Sequence, residues 1–379
     1  ALAAFALVKP TESEKTLKLV SSDLFDLVER FKAEPAVSSM HSYKLMQRVL
    51  SDQCHVETDE AGGGQVMIKK PAEIPSDSLQ NPSDPDASYS GHKGQGYQVQ
   101  IMETFSRSED DKEKEQTLNL ITHVEVQPAC ESDATALVPA VADTRIRGLG
   151  PDQLVADTLY GSDSNHQAAK VADVELIAPT QKGNECKPLT AFRFNEQGYV
   201  EACPAGHAPE RVKHKQKTDR YSAVFDPKLC QGCPHADHCP VQPGKKMNYL
   251  RYSGKQYRLS VRRQAEQSEA FIDTYRWRAG VEATMSEYDR LTGVKKLRVR
   301  GMPAVRFCAK MKATGLNLLR AARVRRARMK AAGADQGRYR RITAAIYPVK
   351  ERIQAAVVNF SAGWQNSSRR YSEIYKLAA

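Results

Sequence analysis

The sequence contains no apolar run approaching the roughly 18 residues that a helix needs to cross a bilayer. That excludes a helical membrane span. The opening Ala1 to Val8 is apolar but short, and no basic stretch precedes it, which argues against a secretory signal. Eight cysteines in 379 residues are too few for a disulfide scaffold. There is no internal repeat, which sets aside solenoid and propeller arrays. An initiator methionine is also missing, and the chain opens inside what reads as a helix. The expectation is a cytoplasmic, nucleoid-associated protein, present as an N-terminally truncated copy.

Acids are scarce in one region. From Lys295 to Arg341 there are sixteen Lys or Arg residues and one acid, Asp335. The whole chain carries +11 with a pI near 9.2, which favours a polyanionic partner. The densest part runs from Arg320 to Lys330. A solvated basic helix or tail is the ordinary alternative for such a run.

Two groups of residues could carry chemistry. Tyr275, Arg278 and Glu282 are spaced Y-x2-R-x3-E, and in a helix over residues 268–291 those offsets return to nearly one face. A metal-binding carboxylate would then stand beside a phosphate-gripping arginine. The competing account is a surface helix with an Arg–Glu pair worth a few tenths of a kcal/mol. Upstream, Leu154-Val155-Ala156-Asp157 reads as a short buried strand closed by an aspartate. A glycine-containing turn follows, then a helix over 165–171 and a second strand over 174–177. Asp157 would lie at the carboxyl end of a parallel strand, where ligand crevices form. An aspartate that merely opens a turn is the alternative.

Four cysteines cluster: Cys203, the pair Cys230-x2-Cys233, and Cys239. Four soft ligands suffice for a tetrahedral Zn²⁺, with His207, His235 and His238 as substitutes, and a metal would staple a small, poorly cored segment. Reduced thiols packed as small hydrophobes are the alternative. Cys54, Cys130, Cys186 and Cys308 read as core thiols.

The organisation predicted is a helical segment 1–70, with Leu24, Leu27, Val28 and Phe31 on one buried face. A first part of an α/β core over 71–183 opens with the Pro/Ser/Asp-rich connector 71–85 and continues with antiparallel strands 96–103 and 119–126, a loop over 106–116 between them, and a helix over 133–146. A cysteine-rich insertion spans 184–255, with a short strand at 191–194. The core resumes over 256–323 with the glutamate helix and a helix over 303–319 whose apolar stripe is Cys308, Met311, Gly315 and Leu318. A basic tail, 324–379, ends the chain.

Together, Ala156-Asp157-Thr158-Leu159-Tyr160-Gly161-Ser162, the Y-x2-R-x3-E string and His92-Lys-Gly-Gln-Gly-Tyr-Gln-Val-Gln100 resemble the DDE transposases of bacterial insertion sequences. The closer likeness is to the branch with a cysteine-rich region between the last two acidic elements, and it covers about residues 14–323. The resemblance implies an α/β, ribonuclease-H-like mixed sheet with flanking helices, interrupted by the small cysteine-rich, β-containing insertion. It further implies cleavage and strand transfer by in-line attack at phosphorus, with Mg²⁺ (or Mn²⁺) held by Asp157 and Glu282. Tyr275, Arg278, Lys296 and Arg298 would position DNA phosphate. The implied partners are double-stranded DNA, both transposon ends and target, and a second copy in a homodimer. Asp289 stands where the family commonly has lysine, so Arg290, Lys295 or Lys296 would take that contact.

A first core strand closed by an aspartate is not evident before Gly96. The first acid is expected upstream of Ala1, leaving this chain without strand transfer, or else is Asp86 in the connector. Two other functions stay open: a nuclease or relic that binds DNA without strand transfer, and a zinc-stapled scaffold whose acids are structural.

Overall fold

The computed structural model describes residues 12–58, 64–181 and 189–333. The basic tail beyond residue 333 and Cys186 lie outside the described residues. By internal packing the chain divides into Ala1–Arg107 with Asn119–Asn317, and Ser108–Leu118 with Leu318–Ala379.

The first unit opens on α1 (Ser13–Phe31), which buries Phe25 and Val28 against Tyr43 and Leu50 of α2 (His41–Gln53). The Tyr43 hydroxyl satisfies the Val28 carbonyl at 2.7 Å. Leu24 and Phe31 flank this cluster, but Leu27, expected beside them, is exposed. Val66 and Cys54 of the following strands join the same cluster. The antiparallel pair β1 (Cys54–Thr58) and β2 (Gly64–Ile68) follows.

The predicted strands 96–103 and 119–126 are present as β4 (Gly94–Glu103) and β5 (Ile121–Pro128), paired antiparallel. A short strand precedes them. β3 (Ser88–Ser90) pairs antiparallel with the start of β4, and no aspartate closes it. Its sequence, Ser-Tyr-Ser, gives no apolar run to find it by. Successive β4 side chains face opposite ways. Val99 and Ile101 pack with Val124, Val126 and Tyr288, whereas Met102 packs with Leu137, Val141 and Leu176.

On the Met102 side lie α3 (Leu137–Ile146) and the strand–helix–strand unit β6 (Gln153–Val155), α4 (Asp163–Val171) and β7 (Glu175–Ile177). β6 and β7 are parallel, in register Leu154 to Leu176, as the sequence pattern indicates.

Residues 189–257 carry a core of their own, with Phe192, Ala223, Phe225 and Leu250 almost wholly buried. Its strands are the pair β8 (Arg193–Phe194) and β9 (Val200–Ala202), then the antiparallel sheet β10 (Arg211–Lys215), β11 (Arg220–Phe225) and β12 (Asn248–Ser253). We call this the cysteine lobe.

β12 runs into α5 (Gly254–Ala265), whose start is fixed by a capping box between Ser253 and Gln256. The helix expected over 268–291 is divided. α6 (Glu269–Tyr275) passes through a 3₁₀ turn at Arg276–Arg278 into α7 (Ala279–Thr292). Gly293, with φ 62°, ends α7 in the left-handed conformation that glycine tolerates best.

The last helix, α8 (Met302–Ala331), belongs to the first unit as far as Asn317. It buries Val305, Ala309, Ala313 and Leu316 against β5 and Tyr288. The expected stripe is therefore wrong in phase: Met311 and Leu318 are exposed. Alanines at the contact let the helix approach the sheet closely, which side-chain hydrophobicity alone does not reveal.

In the second unit, the expected loop 106–116 includes the helix Asp111–Gln116, capped by Asp110, which accepts from the Lys112 and Glu113 amides. Arg328 donates to the Gln116 carbonyl at 2.7 Å. Among the described residues no helix is long and apolar enough to cross a membrane.

Candidate active site

Asp157 stands just beyond β6 and caps the 3₁₀ turn Thr158–Tyr160, accepting the Thr158 amide at 2.6 Å. It is exposed, and one carboxylate oxygen bears this bond. The turn behind it is fastened at several points. The Tyr160 hydroxyl donates to Gln100 of β4 at 2.6 Å. Asn165 donates to the Ala134 and Tyr160 carbonyls. A methyl group at Gly161 would stand 1.9 Å from the Pro179 carbonyl oxygen, so only glycine permits this approach.

Tyr275, Arg278 and Glu282 form a continuous stack despite the 3₁₀ turn. The Arg278 guanidinium lies 5.9 Å from the Tyr275 ring centre and donates to Glu282 Oε1 at 2.7 Å. Burial raises the Tyr275 pKa; the charges of Asp157 and Glu282 raise it further, and Arg278 and a Thr158 hydrogen bond oppose them. For Arg278, burial acts downward but is outweighed: the Glu282 hydrogen bond and the charges of Tyr275, Asp157 and Glu282 leave its pKa above the ordinary value. Asp157 and Glu282, 125 positions apart in sequence, thus act on the same phenol and the same guanidinium.

Lys296 and Arg298 are exposed on the segment between α7 and α8. Asp289 accepts the Lys295 amide at 3.1 Å and lies 3.7 Å from its ammonium group, so Lys295 is engaged there. Asp86 is engaged at the start of α8: its Oδ2 accepts the Met302 amide, and Asp84 nearby accepts Gly301 N–H and the Tyr97 hydroxyl. Both acids serve the helix N-terminus, where backbone N–H groups favour negative charge.

Several residues that position this site had no sequence signal of their own. Asp163, at the start of α4 and nearly buried, is gripped by Arg258 at 2.8 Å and Arg262 at 3.3 Å, both from α5. Arg262 also donates to the Gly161 carbonyl. Glu266 accepts the Thr180 amide at 2.6 Å. Glu103, at the end of β4, accepts from Thr284 of α7 at 2.7 Å and so ties the Glu282 helix to the sheet. The four-residue spacing of Arg258 and Arg262 marks one helical face; only the fold shows what it faces. Replacing Asp163 with alanine leaves two guanidinium groups without their buried partner. A loss of roughly 3 kcal/mol in stability is expected, measured by urea unfolding; a change within experimental error would show that solvent already compensates the pair.

His166 of α4 has a buried Nε2 without a hydrogen-bond partner. Burial, then the Arg262 charge, pushes its pKa down to about 4. In the unfolded chain histidine titrates near 6.5. As pH falls from about 6.5 toward 4 the unfolded chain takes up a proton that the folded one refuses, so stability falls over that window by roughly 2 kcal/mol. His166→Gln should flatten this part of the stability profile relative to the parent protein. Parallel profiles would show that His166 is not the group responsible.

The four clustered cysteines line one small cavity. Cys203, Cys230, Cys233 and Cys239, with His207 and His235, surround a space of about 20 Å³. Two turns build it: Gly206 (φ 85°) closes the turn from Cys203, and Gly232 (φ 72°) lies between Cys230 and Cys233. The Cys239 pKa is raised by burial first, and also by the other three thiols. The volume holds one water-sized body, and the donors are those of a closed zinc site. Among the described residues, however, no three His, Cys, Asp or Glu side chains stand close enough to hold a metal as they are placed.

A family model for the transposase DDE domain matches residues 202–322. The matched stretch begins at the cysteine cluster, includes Tyr275, Arg278 and Glu282, and reaches into α8. This likeness supports a place in the DDE transposase family, on roughly a third of the chain. The mixed α/β architecture is compatible with such a domain. No curated protein and no solved structure matches the chain.

Proposed function

We propose that the chain is a DNA transposase that cleaves and joins insertion-sequence ends by in-line phosphoryl transfer, with Asp157 and Glu282 as two of its three metal-binding acids. The observation that carries this is their joint action on the Tyr275–Arg278 pair. It supports reading the two acidic motifs as one site, and the family match includes one of them.

The residues fit a hard divalent cation. Each acid is exposed with an oxygen outside its main hydrogen bond, and Mg²⁺ commonly takes one or two carboxylates, with waters and substrate phosphates completing its shell. When bound, Mg²⁺ or Mn²⁺ would stabilise the attacking and leaving oxygens at phosphorus. Arg278, held by Glu282 and stacked on Tyr275, presents N–H donors to a phosphate. Tyr275 stays protonated near neutral pH and offers a hydroxyl. The exposed Lys296 and Arg298 would contact the DNA backbone, as would the exposed Arg325 and Arg328 of α8. Handling two ends calls for two such sites, hence a homodimer.

The test is incubation of the chain with end-labelled insertion-sequence duplex in Mg²⁺, Mn²⁺ or chelator. Cleavage confined to the divalent ions is expected, and would set aside the expectation from sequence that this chain is without strand transfer. Bound but intact duplex with every ion would overturn the catalytic reading in favour of a DNA-binding relic.

A further inference from the structure

The sheet β10–β11–β12 of the cysteine lobe has two unlike faces. His214, Tyr221 and Tyr252 are cross-strand neighbours and form an inward column: His214 and Tyr221 stack at 3.9 Å, Tyr221 and Tyr252 at 5.0 Å. The columns on either side, Lys213–Ser222–Arg251 and Lys215–Arg220–Ser253, face the other way. Lys213, Lys215, Arg220 and Arg251 are exposed, and with the two serines they line a shallow hollow of about 720 Å³.

No Asp or Glu occupies any position of the three strands. Acids occur only at their ends. Of these, Asp219 is taken by His214 and Arg258, and Asp226 caps the turn after β11. Side chains two apart on a strand lie about 7 Å from one another, and adjacent strands about 4.8 Å. Four cations are thus gathered within a few ångströms of a Debye length, without a carboxylate among them.

We propose that this face docks the phosphate backbone of double-stranded DNA. Lysine, arginine and serine are the side chains that contact phosphate and fix a duplex in place. A single strand would call for exposed aromatic platforms. Here the rings of Tyr221 and Tyr252 are buried in the lobe core, that of His214 stacks on Tyr221, and Tyr249 lies beneath Arg251, 5.3 Å from ring centre to guanidinium. The assignment rests on the lobe alone and does not depend on Asp157 or Glu282 being catalytic.

The experiment compares the full chain with a variant carrying Lys213→Gln, Lys215→Gln, Arg220→Gln and Arg251→Gln, binding duplex DNA over a range of salt by fluorescence anisotropy. The four side chains lie outside the lobe core, so an unchanged circular dichroism spectrum is expected. Each phosphate that the variant no longer neutralises should flatten the slope of log K against log salt by about 0.9, and affinity should fall at least tenfold. The single charge reversal Lys213→Glu should act in the same direction, a check independent of any folding defect in the quadruple variant. Equal slope and affinity in parent and variants would overturn the proposal, as would a parent preference for single-stranded DNA or duplex RNA that these variants abolish. Duplex binding is measured here without divalent ion and cleavage is measured with it, so failure of catalysis and failure of this surface are read separately.

Discussion

Replacing Glu282 with glutamine is expected to lower metal-dependent DNA cleavage by about 10³-fold or more, equivalent to roughly 4 kcal/mol of barrier, with the thermal midpoint unchanged. Glutamine keeps the shape of the side chain and an oxygen that can accept from Arg278. What it removes is the negative charge. Glu282 is exposed, and its ion pair with Arg278, four residues away on a helix, contributes only a few tenths of a kcal/mol to stability. A structural role would therefore show as a small change in stability and no change in rate, and a catalytic role as the reverse. Asp157→Asn should behave alike, since its hydrogen bond to the Thr158 amide survives in asparagine. Parent-like cleavage by both variants would remove these acids from the reaction.

Replacing Cys233 with serine, or treating the parent protein with a strong chelator, is expected to destabilise the cysteine lobe by several kcal/mol. Purified parent should carry about one zinc per chain by elemental analysis, and the variant much less. Zinc binding drives folding in peptides that lack a core of their own, with apparent energies of about 10 kcal/mol or more. The lobe has Phe192, Ala223 and Leu250 fully buried, so part of its stability is independent of metal and the loss should be smaller. The four thiols line one cavity, and a bound ion would draw them together. Parent protein free of zinc, with a chelator-insensitive unfolding transition, would return these cysteines to ordinary packing.

What could be read from the sequence was local. Alternation in Val99, Ile101, Val124 and Val126 marked the β4–β5 pair, and the apolar run before Asp157 marked β6. The offsets of Tyr275, Arg278 and Glu282 anticipated a stack that persists although a 3₁₀ turn replaces part of the helix. The cysteine spacing anticipated a shared cavity. Long-range features were not legible. The amides at the start of α8 are satisfied by Asp84 and Asp86, more than 200 residues earlier, and no periodicity encodes such a bond. The buried stripe of α8 escaped because alanines made the contact while larger apolar side chains stayed outside. β3 escaped because three residues paired by backbone bonds need no apolar pattern. Nothing in the sequence pairs Asp163 with Arg258 and Arg262, some 95 positions later.

α5 has a further consequence. One part of it is set into the cysteine lobe, where Tyr257 donates to the Asn195 carbonyl and its ring lies 5.3 Å from Phe194. Arg258 and Arg262 grip Asp163 behind the Asp157 turn. The chain then continues directly into the segment bearing Tyr275 and Glu282. Lobe and site therefore share a beam, and an excursion that opens the lobe core would also slacken the turn presenting Asp157. For the proposed pairing of the two acids, the lobe would then set a lifetime rather than a geometry.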